Sequence, residues 1–469
     1  MSRTLNYIAL AIVIFSALTN LETIRTFPSW FDEAFFANIA FNLAQGKGLV
    51  LDLIPLYFKG EIYLYGPIYF YLQSFLINSF GLQEFIFRLP NLISAYLTIF
   101  LLVNILRQHS ISRPYWILFV IAATVDVSLN RNLVSGRMDM LAVVFATSAL
   151  YLINYSSTKI EKSVYIRWLL VGGLSAIAYL ITPRILFLLP VVFISGLYKL
   201  FFEKHESSSL QKNWLGLGVA ILAFTLPIAA WIQYTGGINV YISLFASNTG
   251  TSNHIAPSFF RSSFDNIGIG LMVFLSLISY PLIFKDILIL GLIATYIIFS
   301  LFVNEIGPYA GMIMPFVLAT ITIIIAKSMW PPVLKYALSS LIIVPGLLLL
   351  LLRGTDVYLN SACRDDDEIN AMLEQTTQAN QKIVTPFKYY FLLEQVDREL
   401  VTLEYSKISQ DQVINNADLV IADENVSEWL TQIGFKKFTQ INCEVRHVPL
   451  LPDTFYSRST FNESFYLPK

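Results

Sequence analysis

Apolar and polar positions divide the chain into two unequal parts. Residues 1–352 are a succession of apolar segments of roughly 15–22 residues, the length needed to cross about 30 Å of hydrocarbon. Spans are predicted near 5–24, 88–106, 115–130, 138–154, 168–183, 185–202, 213–234, 266–284, 287–303, 309–326 and 336–352. The stretch 66–80 (GPIYFYLQSFLINSF) is short and rich in aromatics, and reads as a span, a half-buried helix or an interfacial helix. Residues 353–469 have a different texture. Asp365-Asp366-Asp367-Glu368 opens a polar helix, and 382–385 and 417–422 are short apolar runs that read as buried strands, with a helix over 425–433 after the second. That alternation predicts a small α/β domain. The predicted fold is thus a polytopic α-helical membrane protein with a small α/β C-terminal domain.

Basic residues orient the spans. With a cytoplasmic N-terminus and no full crossing at 66–80, five short loops lie inside. They hold Arg107 and Arg113; Lys159, Lys162 and Arg167; Lys199, Lys204 and Lys212; Lys285; and Lys327 and Lys335. A full crossing at 66–80 reverses all of them. The count therefore favours about eleven crossings (twelve or thirteen if 66–80 and its neighbour are misjudged), by segment length and loop charge. On this topology loop 26–65, residues 131–137, the Thr182-Pro183-Arg184 turn, loop 235–265, residues 304–308 and everything after Arg353 are exocytoplasmic.

Composition agrees. Of 469 residues 55% are hydrophobic and 13% charged, about half the charge of a soluble protein. A net charge of −1 gives no electrostatic case for nucleic acid. Met1-Ser2-Arg3 followed by an apolar segment without a small-residue cleavage site reads as a retained signal anchor. The two cysteines, Cys363 and Cys443, both fall in the C-terminal domain. Outside the cytoplasm a bridge between them is allowed, and two unpaired thiols are the alternative.

The chemistry concentrates at Asp32-Glu33, just after the first span. Adjacent carboxylates beside lipid are costly and usually have a task. The following residues read as a helix to about Gln45, stopped by Gly46 and Gly48. Phe36, Ile39, Ala40 and Leu43 recur at helical spacing and are expected to lie on the bilayer. The helix dipole would keep Asp32 ionised, able to accept a proton or a hydrogen bond. The plain structural alternative is an N-cap aspartate with a first-turn glutamate. Asp52, Lys59 and Glu61 share the loop, as substrate contacts or as solvated charges. Trp30, Tyr57, Tyr63 and Tyr65 fit both an interfacial aromatic belt and a sugar-stacking platform, and His254 in loop 235–265 is a weak further candidate.

Four stretches in order resemble the GT-C glycosyltransferases that use polyprenyl-phosphate sugars, such as protein O-mannosyltransferases and the lipid A aminoarabinose transferase. They are Phe31-Asp32-Glu33-Ala34-Phe35-Phe36, Tyr65-Gly66-Pro67-Ile68-Tyr69, Phe87-Arg88-Leu89-Pro90-Asn91 and Ser135-Gly136-Arg137-Met138-Asp139. The resemblance covers roughly residues 1–200. It implies a GT-C-like fold with residues 1–352 as the catalytic membrane domain and 353–469 as the exocytoplasmic C-terminal domain, in a bacterial or archaeal cell membrane. It implies an inverting hexosyl or pentosyl transfer from a polyprenyl-phosphate-linked sugar to a hydroxyl acceptor, whether protein, glycolipid or polysaccharide. Asp32 would be the general base, and Glu33 would position the acceptor, Asp32 or a metal. Arg88, Arg131, Arg137 and Arg184 would bind the lipid phosphate. Asp139 and Tyr65, with Asp52, Lys59 and Glu61, would contact substrate. Arg137 and Asp139 would equally suit a plain ion pair at a span entrance.

The chain departs from the family at Tyr65-Gly66, where relatives often carry Glu-Lys or His before the proline, so a divalent metal is left open. It departs again at Gly307-Pro308-Tyr309-Ala310, which lacks the family's arginine and puts phosphate binding there in doubt. The Trp-Trp-Asp-type motif of oligosaccharyltransferases is absent. The competing reading is a transporter or flippase of a lipid-linked saccharide, which should show internal repeats and mid-membrane charges. A non-catalytic scaffold is the third.

Overall fold

Each predicted apolar segment folds as helix. The structure is a computed structural model that describes residues 2–29, 31–53, 61–63, 65–155, 164–202, 207–248, 267–283, 286–302, 306–364, 366–377, 381–393, 399–402, 416–422, 426–441, 444–451, 460–461 and 463–468. In chain order the helices of the first part are α1 (Ser2–Thr26), α2 (Phe31–Ala44), α3 (Pro67–Phe80), α4 (Glu84–Gln108), α5 (Arg113–Val125), α6 (Val127–Leu133), α7 (Asp139–Asn154), α8 (Val164–Ile181), α9 (Pro190–Phe202), α10 (Ser207–Tyr234), α11 (Ile238–Asn248), α12 (Ile267–Ile278), α13 (Ile287–Phe302), α14 (Ile306–Lys327) and α15 (Pro332–Leu359). Among the described residues six helices are long and apolar enough to cross a membrane, within α1, α4, α8, α10, α14 and α15, and α5 with α6 adds a seventh as one span bent by 59°. The chain is a multi-pass membrane protein.

The remaining predicted spans form shorter helices. Those of α7, α9, α12 and α13 have 16, 13, 12 and 16 residues, about 18–24 Å at 1.5 Å per residue. Proline explains the shortening of α9: Pro183 opens a 3-10 turn, Pro183–Phe187, and the α-helix restarts only at Pro190. Helix α14 forms the centre, with 89% of its span buried, whereas the span in α10 is 11% buried and lies at the periphery.

The bend between α5 and α6 leaves backbone groups that lipid cannot satisfy, so side chains must. Asp126 accepts the Leu129 N–H at 2.8 Å. Asn130 donates to the carbonyls of Thr124 and Asp126, each at 2.8 Å, and Ser16 reaches the Thr124 carbonyl at 3.1 Å. Asn20 of α1 locks Asn130 in place at 2.7 Å.

The ends of the helices fix which elements share a membrane face. Arg88 at the start of α4 donates to the carbonyls of Ile24 (3.3 Å) and Phe27 (2.7 Å) at the end of α1. Everything between therefore returns to the face it left. Helix α3 stays at this face. Its leading Gly66 packs so closely on Leu180, at the end of α8, that a Cβ would come within 1.8 Å of the Leu180 carbonyl oxygen. Its Gln73 donates to the Phe87 carbonyl at 2.8 Å. With 14 residues, α3 runs along this face with Tyr71, Phe75 and Phe80 turned outward.

The C-terminal part contains a five-stranded sheet in the order β2-β1-β3-β5-β4. Its strands are β1 (Lys382–Thr385), β2 (Glu399–Thr402), β3 (Leu419–Ala422), β4 (Phe435–Gln440) and β5 (Ser464–Pro468). Strand β1 pairs parallel with β2 and β3, and β5 runs antiparallel to β3 and β4. The central β3 is buried at every residue, which is why its sequence is continuously apolar. Helices Asp366–Thr376 and Ser427–Gln432 fall where the sequence predicts them. Cys363 is disulfide-bonded; Cys443 lies outside the described residues. The domain sits on the face that carries the first loop. Ser29 Oγ donates to the Phe387 carbonyl (2.7 Å), the Thr402 N–H to the Leu53 carbonyl (3.2 Å), and the rings of Phe87 and Phe391 are 5.5 Å apart.

Candidate functional site

Helix α2 starts at Phe31, so Asp32 and Glu33 occupy its first turn, where the dipole favours negative charge. Gly46 and Gly48, at φ 77° and 90°, follow its end. One expectation is overturned here. Phe36, Ile39 and Ala40 do not lie on the bilayer; they are buried. The loop after α2 brings α3 back alongside, and Phe36 meets the rings of Tyr65, Tyr69 and Phe70 at 5.2–6.3 Å. An apolar helical stripe has the same period whether lipid or protein covers it.

The two carboxylates have opposite surroundings. The Glu33 side chain is 1% exposed and that of Asp32 27%. Arg88 grips Glu33 as a fork, Nε to Oε1 and Nη2 to Oε2, each at 2.8 Å. The Gly136 N–H also donates to Glu33 Oε1. The other donors of Arg88 go to the carbonyls of Ile24, Phe27 and Pro28 and to Glu84 Oε2. Arg88, expected among the phosphate ligands, is thus fully engaged in holding the Asp32-Glu33 turn. Both oxygens of Glu33, the candidate metal ligand, are likewise taken, and among the described residues no three His, Cys, Asp or Glu side chains gather in a metal-holding group.

The Gly136-Arg137 turn is fixed by two residues, Asn91 and Tyr69, that lie inside the recognised stretches but to which the sequence assigns no role. Asn91 donates to the carbonyls of Asn132 (2.6 Å) and Ser135 (3.0 Å) and accepts the Met140 N–H (3.0 Å). Tyr69 donates to the Gly136 carbonyl at 2.6 Å. A Cβ on Gly136 would come within 2.3 Å of the Phe87 ring and 3.3 Å of Glu33 Oε1. Gly136→Ala should therefore lower stability by about 1–3 kcal/mol, read as a fall in Tm in detergent or nanodiscs; an unchanged Tm would show that the turn can yield.

This turn delivers Arg137. Its Nε donates to Asp139 Oδ2 at 2.7 Å and its Nη1 pairs with Asp32. Burial opposes the Arg137 charge, and the neighbouring Asp139 and Tyr309 more than offset it, so its pKa lies above the ordinary value. Asp139 is 1% exposed, and its Oδ1 has no hydrogen-bond partner among the described residues.

Arg184 completes the cluster from the 3-10 turn after α8. Its Cζ lies 4.4 Å from the Tyr309 ring and 5.5 Å from that of Tyr65. Arg137 Cζ is 4.9 Å from the same Tyr309 ring. Tyr309 therefore has two guanidiniums at cation–π distance, in the stretch that keeps the tyrosine of the family's Arg-Tyr entry and lacks its arginine. Burial raises the Tyr65 phenol above its ordinary pKa, and the Arg184 charge pulls the other way.

The other expected charged residues that the structure describes are exposed. Arg131 is exposed on α6. Asp52 is exposed and forms a 3.5 Å surface pair with Lys47. Glu61 is exposed and accepts a hydrogen bond from Tyr63, which raises the Tyr63 phenol to about 12. Tyr63 packs against Trp231 and Tyr234. Lys59, Trp30, Tyr57 and His254 lie outside the described residues.

No family model and no curated protein matches the chain. Solved structures do match, two of them along 99% of its length. ArnT from Cupriavidus metallidurans in the apo state aligns with a TM-score of 0.58 at 12% identity, covering 99% of this chain and 98% of that one. The same protein bound to undecaprenyl phosphate aligns with a TM-score of 0.57 at 11% identity and the same coverage. The chain has the fold of ArnT, a polytopic membrane fold with a small C-terminal domain.

Proposed function

We propose that this chain is a membrane glycosyltransferase that moves a hexose or pentose from a polyprenyl-phosphate donor to a hydroxyl acceptor at the exocytoplasmic face. One observation carries the reading: a partly exposed Asp32, at the N-terminus of a helix, pairs with Arg137, whose guanidinium shares the Tyr309 ring with that of Arg184. It does so in a fold shared with a protein crystallised with undecaprenyl phosphate.

The chemistry follows from the charges. A phosphate monoester or diester suits fixed guanidinium forks. Arg184 and Arg137 offer two, on the same face as the first loop. Arg137 is paired with Asp32, so a donor phosphate that takes over part of Arg137 loosens its hold on the Asp32 carboxylate. Asp32 then accepts the acceptor hydroxyl proton while the acceptor oxygen attacks the anomeric carbon. The bond from that carbon to the phosphate oxygen breaks, its electron pair leaves with the polyprenyl phosphate, and the configuration inverts. Asp139 Oδ1 and Tyr65 line the same cluster as substrate contacts. Glu33 and Arg88 act at one remove, by orienting the turn that carries Asp32. Asp52 and Glu61 are exposed on the first loop, which an acceptor would approach. The loop charges, and Cys363 in a disulfide, favour the exocytoplasmic side for the site and the C-terminal domain.

A transfer assay with a panel of radiolabelled polyprenyl-phosphate sugars tests this reading, and no transfer from any of them would count against it. Within it, Arg184→Gln should weaken donor binding about 10–100-fold, the loss of a charge-assisted contact worth roughly 1.5–3 kcal/mol. Competition by polyprenyl phosphate in nanodiscs measures this, and unchanged affinity would move the phosphate elsewhere.

A further inference from the structure

We infer that the C-terminal domain sets the position of the Asp32-Glu33 turn, with Phe27, Ser29 and Arg364 as positioning residues. The inference rests on the glycosyltransferase reading for its catalytic consequence, but its geometry stands alone. The segment between α1 and α2 holds no regular structure of its own over Phe27–Ser29, so something else must fix it. Arg364 lies just beyond α15, 2% exposed, and is held by Asp356, Nη2 to Oδ2 at 2.7 Å. Its Cζ is 4.1 Å from the Phe27 ring. Arg353 approaches the same ring at 5.8 Å. The half-buried Phe27 ring thus has two guanidiniums within cation–π distance, a directional contact.

Phe27 passes this order to the site. Its carbonyl accepts from Arg88 Nη1 at 2.7 Å, and the next carbonyl, that of Pro28, accepts from Nη2 at 3.2 Å. Arg88 forks onto Glu33, and Glu33 holds the Gly136 N–H next to Arg137, the partner of Asp32. Ser29 is tied independently to the carbonyl of Phe387, 358 residues away in sequence. Beyond the far end of α2, the Leu53 carbonyl is bound by Thr402 of β2. The C-terminal domain thus grips the chain on both sides of the two carboxylates.

A general base must sit within hydrogen-bond reach of its proton, and a misplacement of about 1 Å originating far from the chemistry can cost about 10²-fold in rate. Phe27→Leu removes the ring and keeps most of the bulk; Phe27→Tyr keeps the ring. The expected result for Phe27→Leu is a kcat lower by about 10–100-fold with the donor KM raised by much less, because the Arg137 turn loosens while Arg184 and Tyr309, carried by other elements, stay in place. Phe27→Tyr should keep the wild-type kcat. Ser29→Ala should resemble Phe27→Leu in direction. Hydrogen–deuterium exchange gives a readout independent of catalysis: peptides over 31–36 and 134–138 should exchange faster in Phe27→Leu than in wild type or Phe27→Tyr. Wild-type kcat and exchange in Phe27→Leu, or equal losses in the leucine and tyrosine variants, overturn the inference. If the wild type transfers no sugar from any donor, the glycosyltransferase reading fails instead, and the exchange comparison alone then decides whether the clamp exists.

Discussion

Asp32→Asn should reduce transfer by about 10²–10⁴-fold in kcat, the usual contribution of a general base. The substitution is nearly isosteric and leaves an amide oxygen to accept from Arg137, so Tm should stay close to that of wild type. Because Asp32 is partly exposed and pairs with an arginine that has a second carboxylate partner in Asp139, losing its charge leaves Arg137 compensated. Donor binding should hold or tighten slightly, since the phosphate no longer competes with Asp32 for Arg137. The measurement is steady-state transfer with a donor that the wild type uses, alongside donor competition and Tm. Full activity in the variant rules out Asp32 as the base, even if the rest of the reading survives.

Opposite behaviour is expected one residue later. Arg88→Met should destabilise the protein by about 3–5 kcal/mol, because it leaves Glu33 as an uncompensated buried charge. Glu33→Gln should cost less, since Glu84 still faces Arg88 at 3.5 Å, but it still lowers stability by removing the closer partner. With total stabilities of about 5–15 kcal/mol for a typical domain, such a loss should lower Tm sharply and reduce the yield of folded protein. The double substitution removes both charges, so it should cost less than the sum of the single ones. Coupling in that cycle is the test: strictly additive losses would mean that the fork between Arg88 and Glu33, at 2.8 Å on both arms, holds nothing. Activity should fall in the single variants too, but as a consequence of a displaced turn. The Asp32 variant loses rate and keeps stability; the Glu33 variant loses stability first.

These contrasting expectations show what could and could not be read from residues 32 and 33. The sequence treats them as a pair at one helix start. Nothing in the spacing says that one carboxylate is buried against an arginine 55 residues on and the other left partly open. Arg88 is legible as a charge at the mouth of a helix and so enters with the phosphate ligands; its engagement with Glu33 depends on where the end of α1 lies. Tyr309 is legible only as the tyrosine of an Arg-Tyr entry that has lost its arginine, and its place beside Arg137 and Arg184 comes from the packing of α14 into the centre of the bundle. Asn91 lies inside a recognised stretch, yet its role as a clamp on the Gly136 turn needs partners 41 and 49 residues away.

The sequence by itself determined the elements. Hydrophobic runs of membrane length, proline and glycine punctuation, and two short apolar runs near 382 and 420 give the helices, their breaks and the two halves of the chain, because these signals are local and periodic. Only the tertiary structure decided what covers each face and which charge meets which. It turned the stripe of Phe36, Ile39 and Ala40 from lipid to protein, kept α3 on one membrane face, and brought the C-terminal sheet onto the turn that presents Asp32. The reason is physical. Hydrophobic period is blind to the identity of the apolar partner, and an ion pair or a cation–π contact depends on distances set by elements far apart in the chain.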